Sequence, residues 1–124
     1  MKYKVELLKR VNDLEFGMSQ ETVRGILGDF RPARKRDMFT NCFAEYEENK
    51  LISIEVFGDF VVDVNGTVFH HTDNLEEVTR KMLLIDPDFE IEKDAGGISR
   101  KYSLGIYFEN GFEAFLIGKE NYYH

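Results

Sequence analysis

Residues 16–28 read FGMSQETVRGILG, a stretch that specifies a helix from beginning to end and carries no group suited to chemistry. Ser19 is placed to cap it. Its hydroxyl can accept from a backbone N–H that the first helical turn leaves free, a contribution of about 1 kcal/mol. Met18, just before the cap, can pack on Val23 as a hydrophobic staple. Glu21 suits the positive end of the helix dipole. Val23, Ile26 and Leu27 form the apolar stripe, Gly28 supplies the positive-φ stop, and Gly17 permits a sharp turn ahead of the cap. The stretch predicts a short docking helix whose start and end are both specified.

On its N-terminal side, YKVELLKRVN (3–12) spaces Val5, Leu8 and Val11 three apart beside Leu7, which predicts a short amphipathic helix followed by an extended DLEF. On its C-terminal side, RPARKR (31–36) reads as a solvated basic loop. CFAEYEENKLISIEVF (42–57) predicts a hairpin turning at Glu48-Asn49-Lys50, and GDF (58–60) a bend with Phe60 in the core. DFVVDVNGTVF (59–69) predicts a tighter hairpin on Asn65-Gly66, with Val62 facing Phe69, Val64 facing Thr67, and Asp63 and Val68 on the other side. TDNLEEVTRKMLLIDP (72–87) predicts a second helix, capped by Asp73 or Asn74, with Glu76 or Glu77 completing a capping box. Its Leu75, Val78 and Met82 share a face, Glu76–Arg80 and Glu77–Lys81 are supportive pairs, and Pro87 ends it. Residues 89–118 predict a strand, a Gly96-Gly97 loop and a hairpin on Asn110-Gly111. KENYYH is the tail.

Laid over one another, residues 44–57 and 105–118 place Tyr46 on Tyr107, Glu48 on Glu109, Asn49 on Asn110, Leu51 on Phe112, Ile54 on Phe115 and Val56 on Ile117. The two helical stretches upstream align as well. The expectation is one α+β domain over residues 1–124, an antiparallel β-sheet with two main helices packed on one face. On this alignment it is organised as two helix-plus-hairpin repeats, 14–69 and 72–118.

A chain of 124 residues with 43% apolar side chains, 11 Phe and 6 Tyr can build a real core without staples. Its one cysteine, Cys42, excludes an internal disulfide and every multi-cysteine metal motif, and reads as an inert half-buried thiol. The N-terminus is charged throughout and no apolar window is long enough for a span, so cytoplasmic residence is expected. Asn65-Gly66-Thr67 is accordingly a turn rather than a glycosylation site. Net charge is −7, and four of the 16 bases crowd into residues 31–36, leaving the remaining surface strongly acidic. Such a surface repels phosphate backbones and attracts basic partners, so neither nucleic acid nor membrane is expected.

P-loop, G-x-S-x-G, H-E-x-x-H and EF-hand patterns are absent. His70 and His71 are adjacent and point to opposite faces; His124 is terminal. Asp59 and Asp63, read in one strand, lie roughly 13 Å apart, too far for a glycosidase pair. No catalytic residue, metal or cofactor is expected. The candidate partner-binding residues are Glu45, Glu47 and Glu48 at an acidic hairpin tip with Tyr46 as aromatic anchor, Asp59 and Asp63, and the terminal Tyr122 and Tyr123. The alternatives are a non-catalytic assembly or scaffold module and, further off, a small-molecule enzyme with a carboxylate beside His70 or His71.

Gly17, Met18, Ser19, Val23, Leu27 and Gly28 resemble the Gly-Met-Ser/Thr-x-x-x-Val-x-x-x-Leu-Gly helix of certain small α+β proteins. These are the SmpA/OmlA outer-membrane assembly lipoproteins, the β-lactamase-inhibitor-protein fold and bacterial toxin-immunity proteins. The lipoprotein branch calls for an N-terminal cysteine that these residues lack. The resemblance thus implies an immunity or inhibitor protein; together with the acidic surface, the expectation is one that occludes a cognate, basic, nuclease-like bacterial toxin. The matched positions are scaffold, so no interface residue carries over.

Overall fold

The computed structural model describes residues 2–124 and shows an α+β fold with two helices, α1 (Gln20–Leu27) and α2 (Leu75–Ile85), and two mostly antiparallel sheets. Helix α1 is built as its sequence reads. The Thr22 N–H donates to Ser19 Oγ at 3.2 Å, and the Gly28 N–H closes on the Arg24 carbonyl at a φ of 85°. Val23 is buried and Leu27 half-buried, but Ile26 is 44% exposed. Val23 and Leu27 lie one turn apart and centre the stripe, while Ile26 falls about 100° from Leu27 and leaves it. In α2 the cap is Asn74, which accepts from the Glu77 N–H at 2.8 Å, and Val78 and Met82 are buried. Of the two expected pairs, Glu77–Lys81 forms at 3.5 Å.

Residues 3–12 are not a helix. They form β1 (Lys2–Glu6) and β2 (Arg10–Val11), which lead into β3 (Leu14–Glu15). Tyr3 and Val5 are buried with exposed residues between them, a period of two that the three-residue spacing of Val5, Leu8 and Val11 conceals. Long-range pairing decides the matter: β1 runs parallel to β8 (Val61–Val64), Tyr3 opposite Val62 and Val5 opposite Val64. Leu8 and Asn12 take positive φ at the turns, and the Asn12 amide accepts from the Lys4 N–H at 2.7 Å. The Asn65-Gly66 hairpin joins β8 to β9 (Thr67–His70) in the expected register, and the five-stranded sheet runs β3-β2-β1-β8-β9. Phe60 is buried beside the bend.

The remaining strands are β4 (Arg31–Ala33), β5 (Arg36–Met38), β6 (Cys42–Glu47), β7 (Lys50–Phe57), β10 (Glu90–Ile91), β11 (Gly96–Ser99), β12 (Leu104–Phe108) and β13 (Phe112–Gly118). They form an eight-stranded sheet in the order β10-β11-β12-β13-β7-β6-β5-β4. The basic stretch is therefore a hairpin at the sheet edge rather than a loop, and Gly96-Gly97 lies inside a strand. A Cβ at Gly96 would collide with the Ile106 backbone, and one at Gly97 would collide with the Glu90 carbonyl and the Phe89 ring; neither constraint is visible in sequence. The order is palindromic about an antiparallel β7–β13 junction, where Ile54 meets Ile117, Glu55 meets Leu116 and Val56 meets Phe115. The β6–β7 pairing shifts register between Glu45 and Tyr46, and the β12–β13 pairing shifts between Tyr107 and Phe108. Tyr46 thus matches buried Phe108, not exposed Tyr107, because four residues separate Tyr46 from its partner Leu51 and only three separate Phe108 from Phe112.

One face of this sheet (Ala44, Ile54, Val56, Leu104, Phe115 and Ile117) is buried against the five-stranded sheet. Phe115 meets Phe69 edge-on at 5.0 Å and Phe112 meets Phe60 at 4.9 Å. The same face carries Asp37, fully buried. Arg24 of α1 grips it with Nε at 2.8 Å and an Nη at 2.9 Å, and the Tyr46 hydroxyl donates at 3.0 Å. Ser99 on β11 donates at 2.7 Å to Asp86, the C-cap of α2. The Arg24 guanidinium holds the Asp37 carboxyl below the usual carboxylate range, with burial opposing and Tyr46 assisting. A carboxyl depressed on folding contributes stability that is complete above its unfolded pKa, about 3.9, and is lost as pH falls through the folded value. Asp37→Asn should therefore cost about 2–3 kcal/mol at pH 7. In urea titrations its deficit against the parent should shrink as pH drops below about 4.

Candidate binding surface

The opposite face of the eight-stranded sheet is where function is best sought, because side chains that alternate with a buried set must point away from the core. One cross-strand row runs Met38, Phe43, Glu55, Leu116, Gly105, Ile98. A second runs Arg36, Glu45, Ser53, Gly118, and a third Phe57, Ala114, Tyr107, Gly96. Phe43, Glu55, Phe57 and Leu116 are half-buried, and Tyr107 is 49% exposed. Arg36 lies over the Phe43 ring at 4.0 Å.

The junction at Glu55–Leu116 divides this face into two unlike halves. Beside Glu55 stands Phe43, and two residues beyond it Phe57; their rings are 5.1 Å apart. Beside Leu116 stands Gly105, and two residues beyond it Gly118. The C-terminal tail fills the vacated space. A Cβ on Gly118 would come within 2.8 Å of Tyr122, and one on Gly105 would collide with the Tyr123 hydroxyl. Tyr122 and Tyr123 meet edge-on at 5.0 Å, an aromatic pair where the other half has its phenylalanines. The Tyr122 hydroxyl donates to Glu45 at 2.6 Å, and its N–H donates to Ser103 Oγ at 3.3 Å.

One carboxyl on this face is desolvated. Burial raises the Glu55 carboxyl above its ordinary value, Arg36 opposes the shift and Glu45 adds to it. Burial and then the bond to Glu45 push Tyr122 up to about 12, and burial raises Tyr123 further. A depression of about 220 Å³ opens here, lined by Glu55, Glu92, Gly105, Tyr107, Leu116 and Tyr123 among others.

The sequence-derived candidates are scattered relative to this surface. Glu45 lies on it, half-buried and accepting from Ser53 Oγ at 2.9 Å. Tyr46 does not: it is buried on the opposite face and committed to Asp37, so it is a core residue rather than an aromatic anchor. The strand alternation that exposes Glu45 necessarily turns Tyr46 inward. Glu47 and Glu48 are exposed at the hairpin tip, where Glu48 and Asn49 both take positive φ. Asp59 is in the bend ahead of β8 rather than in a strand with Asp63, exposed and 3.7 Å from His71 Nε2. Asp63 accepts from the Gly66 N–H at 2.8 Å and belongs to the five-stranded sheet. Tyr122 and Tyr123 are packed, half-buried, on the candidate face. Phe43, Glu55, Phe57, Tyr107 and Leu116 escaped the sequence reading. The signal was present in part: glycines inside strand patterns mark close approach of other chain segments.

Cys42 is buried, and burial pushes its thiol up to about 11. Among the described residues no group of His, Cys, Asp and Glu is arranged to hold a metal, and no helix is long and apolar enough to cross a membrane. No family model, curated protein or solved structure matches the chain.

Gly105→Ala tests the tail's seat. It should lift Tyr123 from the sheet, speed carboxypeptidase trimming of the last residues and return the Tyr122 phenol toward 10, read by near-UV absorbance titration.

Proposed function

We propose that this protein is an immunity- or inhibitor-type binding protein that occludes a basic protein partner, a bacterial toxin of the nuclease kind, with the outer face of its eight-stranded sheet. One observation carries the reading: a broad sheet face presents aromatic side chains around one desolvated carboxylate, Glu55, on strands braced from behind by a packed core. Aromatic anchors surrounded by acids suit recognition of a cationic surface. The net charge of −7 would speed encounter. Occlusion needs surface match and no turnover.

In this reading both helices brace the same inner face, Arg24 bonding Asp37 and Asp86 bonding Ser99, and the two helix-plus-four-strand units descend from a duplication. Stiffness then serves binding, because a preorganised surface loses less conformational entropy on docking. The residues expected to meet the partner are Glu45, Tyr107, Tyr122 and Tyr123, with Glu47 and Glu48 steering from the rim. Asp59 and Asp63 lie outside the footprint. A cytoplasmic location fits a protein that guards its own cell.

The decisive experiment mixes the protein with the product of the adjacent upstream reading frame at micromolar concentration on a sizing column. Co-elution is expected, and separate peaks would sink the reading. Within the complex, Tyr107→Ala should weaken affinity about 10- to 30-fold through faster dissociation. Glu47→Gln with Glu48→Gln should change mainly the association rate and its salt dependence.

A further inference from the structure

The depression on the outer face has a chemistry of its own. It is lined by Gly105 with the Tyr123 hydroxyl lying against it, by Tyr107 and Leu116, and carboxylates stand at Glu55 and Glu92. About 220 Å³ falls below the roughly 300–1,000 Å³ of small-molecule sites and suits one long side chain. Among the described residues, no hydrogen bond or ion pair reaches Glu55. The charges acting on it are Arg36, which is stacked over Phe43, and Glu45, which is bonded to Ser53 and Tyr122. Aromatic rings beside a half-buried carboxylate attract a cation twice over, through the ring quadrupole and through direct charge.

We infer that this depression receives a lysine or arginine side chain of the protein partner, its cation seated on the Glu55 carboxylate between Tyr107 and Tyr123. The inference deepens the occlusion reading and rests on it for the partner, though not for its test. A neutral apolar side chain would leave Glu55 desolvated without compensation. An acidic one would add repulsion from Glu55, Glu92 and Glu45. Tyr123 closes the site only because the tail lies on Gly105, so the tail belongs to the receptor rather than to the disordered end of the chain.

The test uses this chain alone. Amide ¹H–¹⁵N spectra are titrated with Nα-acetyl-lysine methylamide, and in parallel with its norleucine counterpart, which has the same stem without the charge. Expected are shifts centred on Gly97, Gly105 and Leu116, with a midpoint on the order of 10 mM for so small a probe. The norleucine probe should give none. Glu55→Gln should weaken lysine binding at least about tenfold and should fold readily, since it removes a desolvated charge. Tyr107→Leu should weaken it about threefold to fivefold, which keeps a second variant in play, while Asp59→Asn, outside the footprint, should leave it unchanged. Shifts centred on Glu47 and Glu48, equal response to both probes, or unaltered binding in both Glu55→Gln and Tyr107→Leu would overturn the inference. Such a failure would not touch the sizing-column result, which judges occlusion separately.

Discussion

The antiparallel junction of β7 with β13 is the contact on which the remaining structure depends. Two four-stranded units, each preceded by a short helix, become one sheet only because Ile54, Glu55 and Val56 pair with Ile117, Leu116 and Phe115. That pairing lines up the inner-face residues of both units into a single apolar layer, which is covered by Phe69 of the five-stranded sheet and by Phe60 just ahead of β8. It also places one half-buried carboxylate at the middle of the outer face. Pairing strands that lie this far apart in sequence is entropically costly, and the buried aromatic contacts on the inner side offset the cost.

The two faces divide polar chemistry between them. On the inner face, charge is admitted only when fully satisfied: Asp37 takes bonds from Arg24 and Tyr46, and Asp86 from Ser99 and the Asp88 N–H. These groups fix where α1 and the end of α2 meet the sheet. On the outer face, Glu55 is half-buried with no such partner. A desolvated carboxylate is a cost to an isolated protein and an asset to one that binds a cation. In the proposed reading, the asymmetry between the halves serves the same end. Where one half carries Phe43 and Phe57, the other carries glycines roofed by Tyr122 and Tyr123, and the change opens the depression beside Glu55.

Legibility in the sequence followed the range of the interactions. Ser19, Asn74, Asn65-Gly66 and Gly28 act within a few residues of themselves, and the caps, the tight turn and the helix stop formed where they were read. Residues 3–12 failed because β1 owes its conformation to β8, which enters the chain more than fifty positions later by the paired register. At the acidic tip, alternation along β6 puts Glu45 and Tyr46 on opposite faces, but which of the two faced the core was decided by the elements packed behind the sheet. The glycines at 96 and 97 read as a loop and Gly105 as nothing in particular, because the atoms they make room for belong to Ile106, Phe89 and Tyr123.

By itself, then, the amino-acid order determined two capped helices, three hairpins and an acidic, aromatic-rich composition, since each arises from neighbours in the chain or from composition. Tertiary structure alone decided which strands share a sheet, which face of it Tyr46 and Glu55 occupy, and that the terminal tyrosines lie on glycines in its middle. Those outcomes turn on strand register, where a slip of one residue reverses every side chain, and register is set by partners remote in sequence.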